Sequence, residues 1–447
     1  MKMPSQRDNY VFLTTAPVGK VILTMAVPTI ISMLVTSIYN IVDTFYVGRI
    51  STQATAAVGI VFPVMSVVQA FGFYFGQGSG TYISRKLGSK ETNDAKMMAS
   101  TAFFTSLGFG FLIFLLGEIF LEPLSIGLGS TPTILQDTKD FMKYILVGAP
   151  FMTATMTLNN QIRFQGNAMY AMIGIIVGAI LNVALVPIFA FSLNMGVKGA
   201  AIGTVIGQIV SFVILVLMTF KGGNIRLSLK NVSFSRKYHF EMFKGGTPSL
   251  SRQGLASVST LLLNLAAGVY GDAAIAGMSI VTRITFVIFS IIIGIGQGFQ
   301  PMCGFNYGAK LYDRVRKGYF FSIEIGSAFL LACGALGFIY ADKIVDVLRH
   351  DPEVVSVGAA ALRWQIITFI FACVITISNM ALQTSGRSIA ANLLAACRNG
   401  IFFMPLILIL PKYFGLLGVE MCQAVADVLS FIVAVPLITH YFRSISS

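Results

Sequence analysis

Charged residues are scarce in this sequence of 447 residues. Only 11% of the positions are Asp, Glu, Lys or Arg, whereas 55% are hydrophobic, and the mean hydropathy is +0.80. Ordinary soluble proteins carry about 25% charged residues. The deficit excludes a water-soluble globule and predicts an integral membrane protein with the lipid bilayer as its surroundings.

Residues that build catalytic and metal sites are also few. The three histidines lie in loops or at the ends of apolar stretches, and the five cysteines are widely spaced without a C-x-x-C pair. We therefore read the cysteines as small buried hydrophobic residues of a reducing compartment. The absence of a G-x-x-x-x-G-K-[ST] loop argues against direct use of ATP. We expect no metal, no cofactor and no enzymatic activity.

The 31 basic residues outnumber the 18 acidic ones and give a net charge of +13. No basic stripe alternates with aromatic residues, so we expect no nucleic-acid partner. Basic residues such as Lys86 and Lys310 lie in alternate loops, and acids such as Asp137 and Asp342 lie in the others. The positive-inside rule then predicts that both termini and the central linker face the cytoplasm of a bacterial inner membrane.

The sequence contains many long apolar stretches. A helix needs roughly 20 apolar residues to cross a bilayer. Twelve such stretches are present, at approximately 20–44, 54–82, 97–118, 140–161, 168–191, 197–220, 245–268, 274–300, 318–340, 357–382, 389–411 and 415–441.

The two halves of the chain repeat each other. Pro28 matches Pro248 and Gly76-Gln77-Gly78 matches 296–298 at a spacing of 220, and Gly199 matches Gly418 at a spacing of 219. Six spans in each half give parallel repeats. We predict an all-α membrane protein with twelve transmembrane helices, in two six-helix lobes related by a pseudo-twofold axis along the membrane normal. The predicted domains are residues 1–220, a basic cytoplasmic linker at 221–244 read as a solvated tether, and residues 245–447.

Glycines recur at four-residue spacing in several spans, as in Gly174/Gly178 and Gly199/Gly203/Gly207. Small residues at this spacing let two helices approach closely. We expect these positions to pack helix against helix.

One carboxyl group dominates the first half. Asp43 lies near the end of the first span, and the other acids of the six N-half spans are Glu118 at the rim of the third span and Asp140 at the first position of the fourth. Intramembrane ionisable residues are costly and therefore functional candidates. Asp43 is read as a protonatable cation site, with a solvated position at the outer mouth as the alternative.

Amide and hydroxyl side chains provide candidate partners for this acid. Tyr39 and Asn40 precede Asp43 in the same span, and polar residues occur in the fourth, fifth and sixth spans. Such groups can stabilise a carboxylate or bind a small hard cation. The predicted coupling site comprises Asp43, Tyr39, Asn40, Asn159, Asn160, Asn182 and Thr204.

The second half carries charges of both signs inside its spans. They are Arg252, Arg283, Arg398, Glu324, Glu420 and Asp427. Because a lone buried charge is costly, we interpret them as a mutually neutralising network. A second coupling site or a substrate anchor is the alternative.

Several motifs together resemble the multidrug and toxic compound extrusion (MATE) family, in its MepA-like branch near the DinF group. They are Ala26-Val27-Pro28, the segment Tyr39–Gly48, Arg163-Phe164-Gln165-Gly166-Asn167, Thr247-Pro248-Ser249 through Gly254, and Ala426-Asp427. The resemblance covers essentially the whole chain.

The resemblance implies alternating access and the export of lipophilic cations in exchange for H⁺ or Na⁺. It also implies that Asp43 takes part in cation coupling, with Asn182 and Thr204 around it. Two positions depart from the pattern. Val186 stands where that branch usually has a second aspartate before Pro187, which favours H⁺ over Na⁺, and Glu420 stands where relatives often have an aromatic residue.

The resulting hypothesis is a secondary active antiporter that exports lipophilic cations or drugs in exchange for H⁺, with Na⁺ less favoured, and that acts as a monomer. The substrate cavity between the lobes would be lined by Met33, Tyr39, Phe71, Phe286, Gln297 and Met302, although each could instead pack or face lipid. One alternative is a flippase for a lipid-linked saccharide, which would need the arginines to line a wet cavity. A more distant alternative is a membrane-embedded lipid enzyme.

Overall fold

A computed structural model of the chain describes residues 6–446, and over that range it is helical with no strand. The helices are α1 (Gln6–Thr15), α2 (Val18–Gly48), α3 (Thr52–Gly88), α4 (Thr92–Ile119), α5 (Leu121–Gly127), α6 (Leu135–Phe164), α7 (Ala168–Pro187), α8 (Gly196–Met218), α9 (Arg236–Gly268), α10 (Asp272–Gly308), α11 (Tyr312–Ile339), α12 (Ala341–Leu348), α13 (Pro352–Thr384), α14 (Ser388–Ala396), α15 (Phe403–Phe414) and α16 (Leu416–Ser446). Two π-helical segments, Ile188–Ser192 and Cys397–Ile401, extend α7 and join α14 to α15.

Each of the twelve predicted spans coincides with a helix, which confirms the predicted all-α membrane fold. Within residues 6–446, eleven helical stretches are long and apolar enough to cross a bilayer. The remaining predicted span, 245–268, is the seventh along the chain and lies in α9, a 33-residue helix that also contains Arg252 and Gln253. These polar positions lower its hydropathy below that of the other eleven.

The chain forms two compact units, and each unit is built from two separate stretches of the sequence. The first holds the described chain up to Ala16 together with Val27–Gly246, and the second holds Pro17–Ala26 together with the chain from Thr247 onward. The start of the first span, up to Ala26, therefore belongs with the second half, and the start of α9 belongs with the first half. The lobe boundaries at 220 and 245 stay a prediction, because these units exchange two short segments across them.

One long helix lies at the centre of each unit. In α6 and in α13, 72% of the most apolar window is buried, against at most 39% in the other candidate spans. The buried face of α6 carries polar groups whose partners come from neighbouring helices. For example, the Gln161 amide donates to Ser79 Oγ at 3.0 Å and to the Ala99 carbonyl at 3.1 Å. A central helix can hold such groups because its neighbours satisfy them.

Glycines let the helices around these centres approach closely, as their spacing predicts. A Cβ built on Gly203 of α8 would lie 3.0 Å from the Val186 backbone nitrogen of α7, and one on Gly207 would lie 2.8 Å from the Gly178 carbonyl oxygen. Each of the two Gly-Gln-Gly sequences contacts one of the exchanged segments, which are the start of α9 up to Gly246 and the segment Pro17–Ala26. Gly78 of α3 lies against Met242 and Gly246 of α9, and a Cβ on Gly298 of α10 would lie 2.6 Å from Ala26 Cα of α2.

The central linker differs from the solvated tether expected from its composition. Its backbone is bound to the first unit: Ile225 N–H donates to Gln165 Oε1 at 2.6 Å, and Ser233 N–H donates to Thr101 Oγ1 at 2.9 Å. At the start of α9, Lys237 Nζ lies 2.7 Å from the Asp94 carboxylate. Side-chain acceptors on α4 and after α6 thus hold the linker in place.

Candidate functional site

The end of α2 packs into an apolar cluster of the first unit together with α7 and α8. Val47 of α2, Val186 of α7 and Ala200 of α8 belong to this cluster, and all three are at most 2% exposed. A further contact lies just beyond them, where the rings of Tyr46 and Phe191 meet edge to face at 6.4 Å. The cluster fixes the register between these three helices.

Asp43, Asn182 and Thr204 each lie one helical turn from a residue of this apolar cluster. Successive long helices are joined by short connections and run antiparallel, so α2 and α7 point the same way and α8 points the opposite way. Asp43 lies one turn before Val47, Asn182 one turn before Val186, and Thr204 one turn after Ala200. One turn is about 5.4 Å along a helix axis, so each of the three polar side chains lies that far from a residue of the cluster.

The amide of Asn182 and the hydroxyl of Thr204 are hydrogen-bonded to each other. Asn182 Nδ2 donates to Thr204 Oγ1 at 3.0 Å, and Thr204 Oγ1 donates to the Ala200 carbonyl at 3.0 Å. Both side chains are 4% exposed. The hydroxyl is left with one free lone pair, and the orientation of the amide leaves its Oδ1 as an acceptor.

The Asp43 carboxyl has no such partner. Its Oδ1 is buried and hydrogen-bonds to no group of residues 6–446, and in that range the carboxyl forms no ion pair. Tyr39 lies one turn earlier on α2 and is partly buried, while Asn40 is exposed. A buried carboxylate oxygen without a partner is unfavourable when the group is ionised. This arrangement suits a group that binds a proton or another cation.

Asn159 and Asn160 are placed elsewhere. Asn160 lies fifteen residues along α6 from Ile145 of the apolar cluster, which is about 22 Å of helix. Its Oδ1 accepts from Gln77 Nε2 at 3.1 Å and from Arg163 at 2.6 Å, and Asn159 Nδ2 donates to the Ala171 carbonyl at 3.0 Å. These amides hold α3, α6 and α7 together, and the structure does not bring them to Asp43.

The buried group around Asn160 was not anticipated as a unit from the sequence. Arg163 is 2% exposed, and its guanidinium also lies 5.3 Å from the centre of the Phe164 ring. The available signal was the presence of Gln77 between two glycines and of Arg163 at the end of a span. The contacts that join them depend on how α3 packs on α6.

The predicted charge network of the second half reduces to one ion pair. Arg398 Nε lies 2.7 Å from Asp427 Oδ1, and this is the one salt bridge that any of the six network residues forms in the described chain. Arg252 instead donates to Asn379 Oδ1 at 3.1 Å. Arg283 and Glu324 are exposed on their helices. The expected mutual neutralisation is therefore limited to Arg398 and Asp427.

The residues predicted to line a cavity have different surroundings. Met302 is fully buried, with its sulfur against Gly318 of α11, so it packs within the second unit and does not line open space. Gln297 is 2% exposed. Phe71 lies 4.4 Å from the Phe109 ring, Phe286 is exposed, and Met33 and Tyr39 are partly buried.

Known proteins share this architecture over nearly the whole chain. The chain is 26% identical over 441 residues to the multidrug export protein MepA of Staphylococcus aureus (strain NCTC 8325 / PS 47), covering 98% of this chain and 96% of that protein. MepA of Staphylococcus saprophyticus matches at the same identity and coverage. A solved outward-facing multidrug resistance MATE family transporter of the MOP superfamily superposes with a TM-score of 0.92, at 23% identity and 98% coverage of both chains.

The family match reproduces the internal repeat. The MatE family model matches residues 28–188 and 248–409, so its two copies begin on Pro28 and Pro248, which are the prolines that mark the repeat in the sequence. The two matched segments together cover more than half of the chain. The chain belongs to the MATE family of multidrug efflux transporters.

Proposed function

We propose that this protein is a secondary active antiporter that exports lipophilic cations in exchange for protons, with Asp43 as the proton-binding group. The observation that carries the proposal is the buried, unpartnered Oδ1 of Asp43. The names of the MepA relatives, which describe multidrug export, support the direction of transport and a drug-like cargo.

The side chains of Asp43, Asn182 and Val186 favour protons over Na⁺ as the coupling ion. A proton needs one basic oxygen, which Asp43 supplies. A bound Na⁺ needs several oxygen ligands, and here Val186, whose side chain has no oxygen, occupies the position before Pro187. The Asn182 Oδ1 remains available to accept a hydrogen bond from a protonated carboxyl.

Location and assembly complete the proposal. The protein would act as a monomer in the bacterial inner membrane with both termini in the cytoplasm. The pairing of Arg398 with Asp427 and of Arg252 with Asn379 leaves only Arg283 of the three arginines without a partner in the described chain, which argues against the saccharide-lipid flippase, since such a protein needs several free cationic groups for pyrophosphate.

The test uses inverted vesicles that contain the wild type or Asp43→Asn, with uptake of rhodamine 6G driven separately by a pH gradient and by a Na⁺ gradient. We expect uptake with the pH gradient alone, and Asp43→Asn to reduce it to the level of protein-free vesicles. Glu122→Gln is the matched control, because Glu122 is a half-exposed acid of the same unit paired with Lys139. Undiminished proton-driven uptake by Asp43→Asn would refute the assignment of Asp43, and uptake driven only by Na⁺ would refute proton coupling.

A further inference from the structure

A second carboxyl without a partner lies in the second unit. Glu420 of α16 is 7% exposed, and it makes no hydrogen bond or ion pair with any residue of the described chain. Gln423 and Asp427 follow it at spacings of three and seven residues. This spacing places the three side chains on one face of the helix.

Asp427 is already neutralised. Arg398 approaches it with Nε at 2.7 Å from Oδ1 and with a second nitrogen at 3.3 Å from Oδ2, and the guanidinium also lies 4.8 Å from the Phe289 ring centre. Arg398 belongs to the π-helical segment Cys397–Ile401. The one uncompensated charge that remains on this face of α16 is therefore the carboxylate of Glu420.

Gln423 is oriented by its contact with Asp427. Its Nε2 donates to Asp427 Oδ1 at 2.9 Å. A carboxylate paired with arginine only accepts hydrogen bonds, so the amide nitrogen must be the atom turned toward it. The carbonyl oxygen of Gln423 is consequently left as an acceptor one turn from Glu420.

The repeat shows that the fold does not require an acid at this position. At the spacing of 219 that relates α16 to α8, Glu420 corresponds to Ala201, Gln423 to Thr204 and Asp427 to Gln208. Ala201 is fully buried in the apolar cluster of the first unit. An alanine thus satisfies the same packing position, whereas a buried unpaired carboxylate is costly. Glu420 is explained by a ligand better than by packing.

We infer that Glu420 and the carbonyl oxygen of Gln423 bind the protonated nitrogen of the exported compound; this inference rests on the proposed function. N–H groups of a cation match two acceptors that carry one negative charge between them. Leu417 lies three residues before Glu420 on the same face of α16 and is exposed, and it suits the lipophilic remainder of such a molecule. The second unit would hold the cargo while Asp43 in the first unit handles the proton.

The test measures rhodamine 6G binding to the purified full-length protein in nanodiscs by fluorescence anisotropy. We expect Glu420→Gln to weaken binding by about tenfold, the size of one lost charge-assisted hydrogen bond, and Glu420→Asp to restore part of it. Glu324→Gln is the matched control, because Glu324 is an exposed acid of the same unit. A loss below about fivefold for Glu420→Gln, or an equal loss for Glu324→Gln, overturns the inference.

Two further measurements separate this inference from the proposed function. Asp43→Asn is expected to keep rhodamine 6G binding while losing proton-driven uptake, and the thermal midpoint of Glu420→Gln is expected to be no lower than that of the wild type, because the variant removes a buried unpaired charge. If the wild type neither binds nor transports the dye, the proposed function fails. If the wild type transports it with protons and Glu420→Gln still binds it fully, only the site in the second unit fails.

Discussion

Asn159 and Asn379, which are 220 residues apart, make the same hydrogen bond. Asn159 Nδ2 donates to the Ala171 carbonyl at 3.0 Å, and Asn379 Nδ2 donates to the Ala391 carbonyl at 2.7 Å. Each ties the central helix of its unit to the helix that follows. The repeat is therefore preserved in individual contacts, and the second half adds Arg252, whose guanidinium donates to the Oδ1 of Asn379.

This addition makes the two amides unequal. We expect Asn379→Ala to lower stability by about 1–3 kcal/mol, because the buried Arg252 guanidinium loses an acceptor together with the lost donation to Ala391. Asn159→Ala removes the helix-to-helix bond alone and should cost less. Thermal unfolding of the two purified variants checks the order, and a larger loss for Asn159→Ala would contradict it.

The ion pair of the second unit gives a sharper contrast. Arg398→Met leaves the carboxylate of Asp427, whose side chain is 3% exposed, buried without its partner, and should destabilise the protein by about 3–5 kcal/mol. The double variant Arg398→Met/Asp427→Asn removes both charges and should recover most of that loss. Unfolding midpoints of the wild type, the single variant and the double variant test this. A double variant as unstable as Arg398→Met would show that the pair matters for more than charge balance.

The two Gly-Gln-Gly sequences predict matched steric effects. A methyl group added at Gly78 or Gly298 meets the backbone of an exchanged segment, at Met242 and Ala26 respectively. Because backbone cannot move aside as a side chain can, Gly78→Ala and Gly298→Ala should each cost about 1–3 kcal/mol. Gly108→Ala in α4, where nothing lies within 4 Å of the added carbon, should be neutral or stabilising by up to about 1 kcal/mol. Equal stability of all three variants would refute the close approach.

The contribution of Asn182 and Thr204 to proton coupling can be tested through the Thr204 hydroxyl. Thr204→Val keeps the shape of the side chain but removes the acceptor of Asn182 Nδ2. We expect a cost of about 1–3 kcal/mol from the unsatisfied amide and slower proton-driven dye export, because Asn182 is no longer held in one orientation. Thr204→Ser retains the hydroxyl and should behave as the wild type. Normal export by Thr204→Val would show that the Asn182–Thr204 hydrogen bond is not needed for proton coupling.

The start of α9 provides a prediction about pH. The hydrogen bond to Asp94 raises the pKa of Lys237 above its usual value of about 10.4. A raised lysine pKa means that the ion pair stabilises the fold fully below that usual value and stops doing so only as the pH rises through the raised one. Lys237→Met should therefore have the same small cost, at most about 1 kcal/mol for a half-exposed lysine, at pH 6 and at pH 9. A cost that differs between these two pH values would contradict the assignment.

The predictability of this protein differs between its spans and its contacts. The spans could be predicted because a helix in lipid satisfies its own backbone and needs only length and apolarity, so each of the twelve stretches coincides with a helix. The linker could not: Ile225 and Ser233 are bound by Gln165 and Thr101, which are distant in sequence. The contacts of Asn160 could not be predicted either. Its amide side chain suited a coupling site, but its position along α6 places it against Gln77 and Arg163.

The sequence by itself determined the membrane fold, the internal repeat and the candidacy of Asp43, because hydropathy, spacing and the scarcity of buried acids are properties of the chain alone. The tertiary structure decided which side chains meet. It bonded Asn182 to Thr204, paired Arg398 with Asp427 and left Glu420 without a partner. These outcomes depend on the rotation and register of packed helices, and those are fixed by close contacts between residues far apart in the sequence.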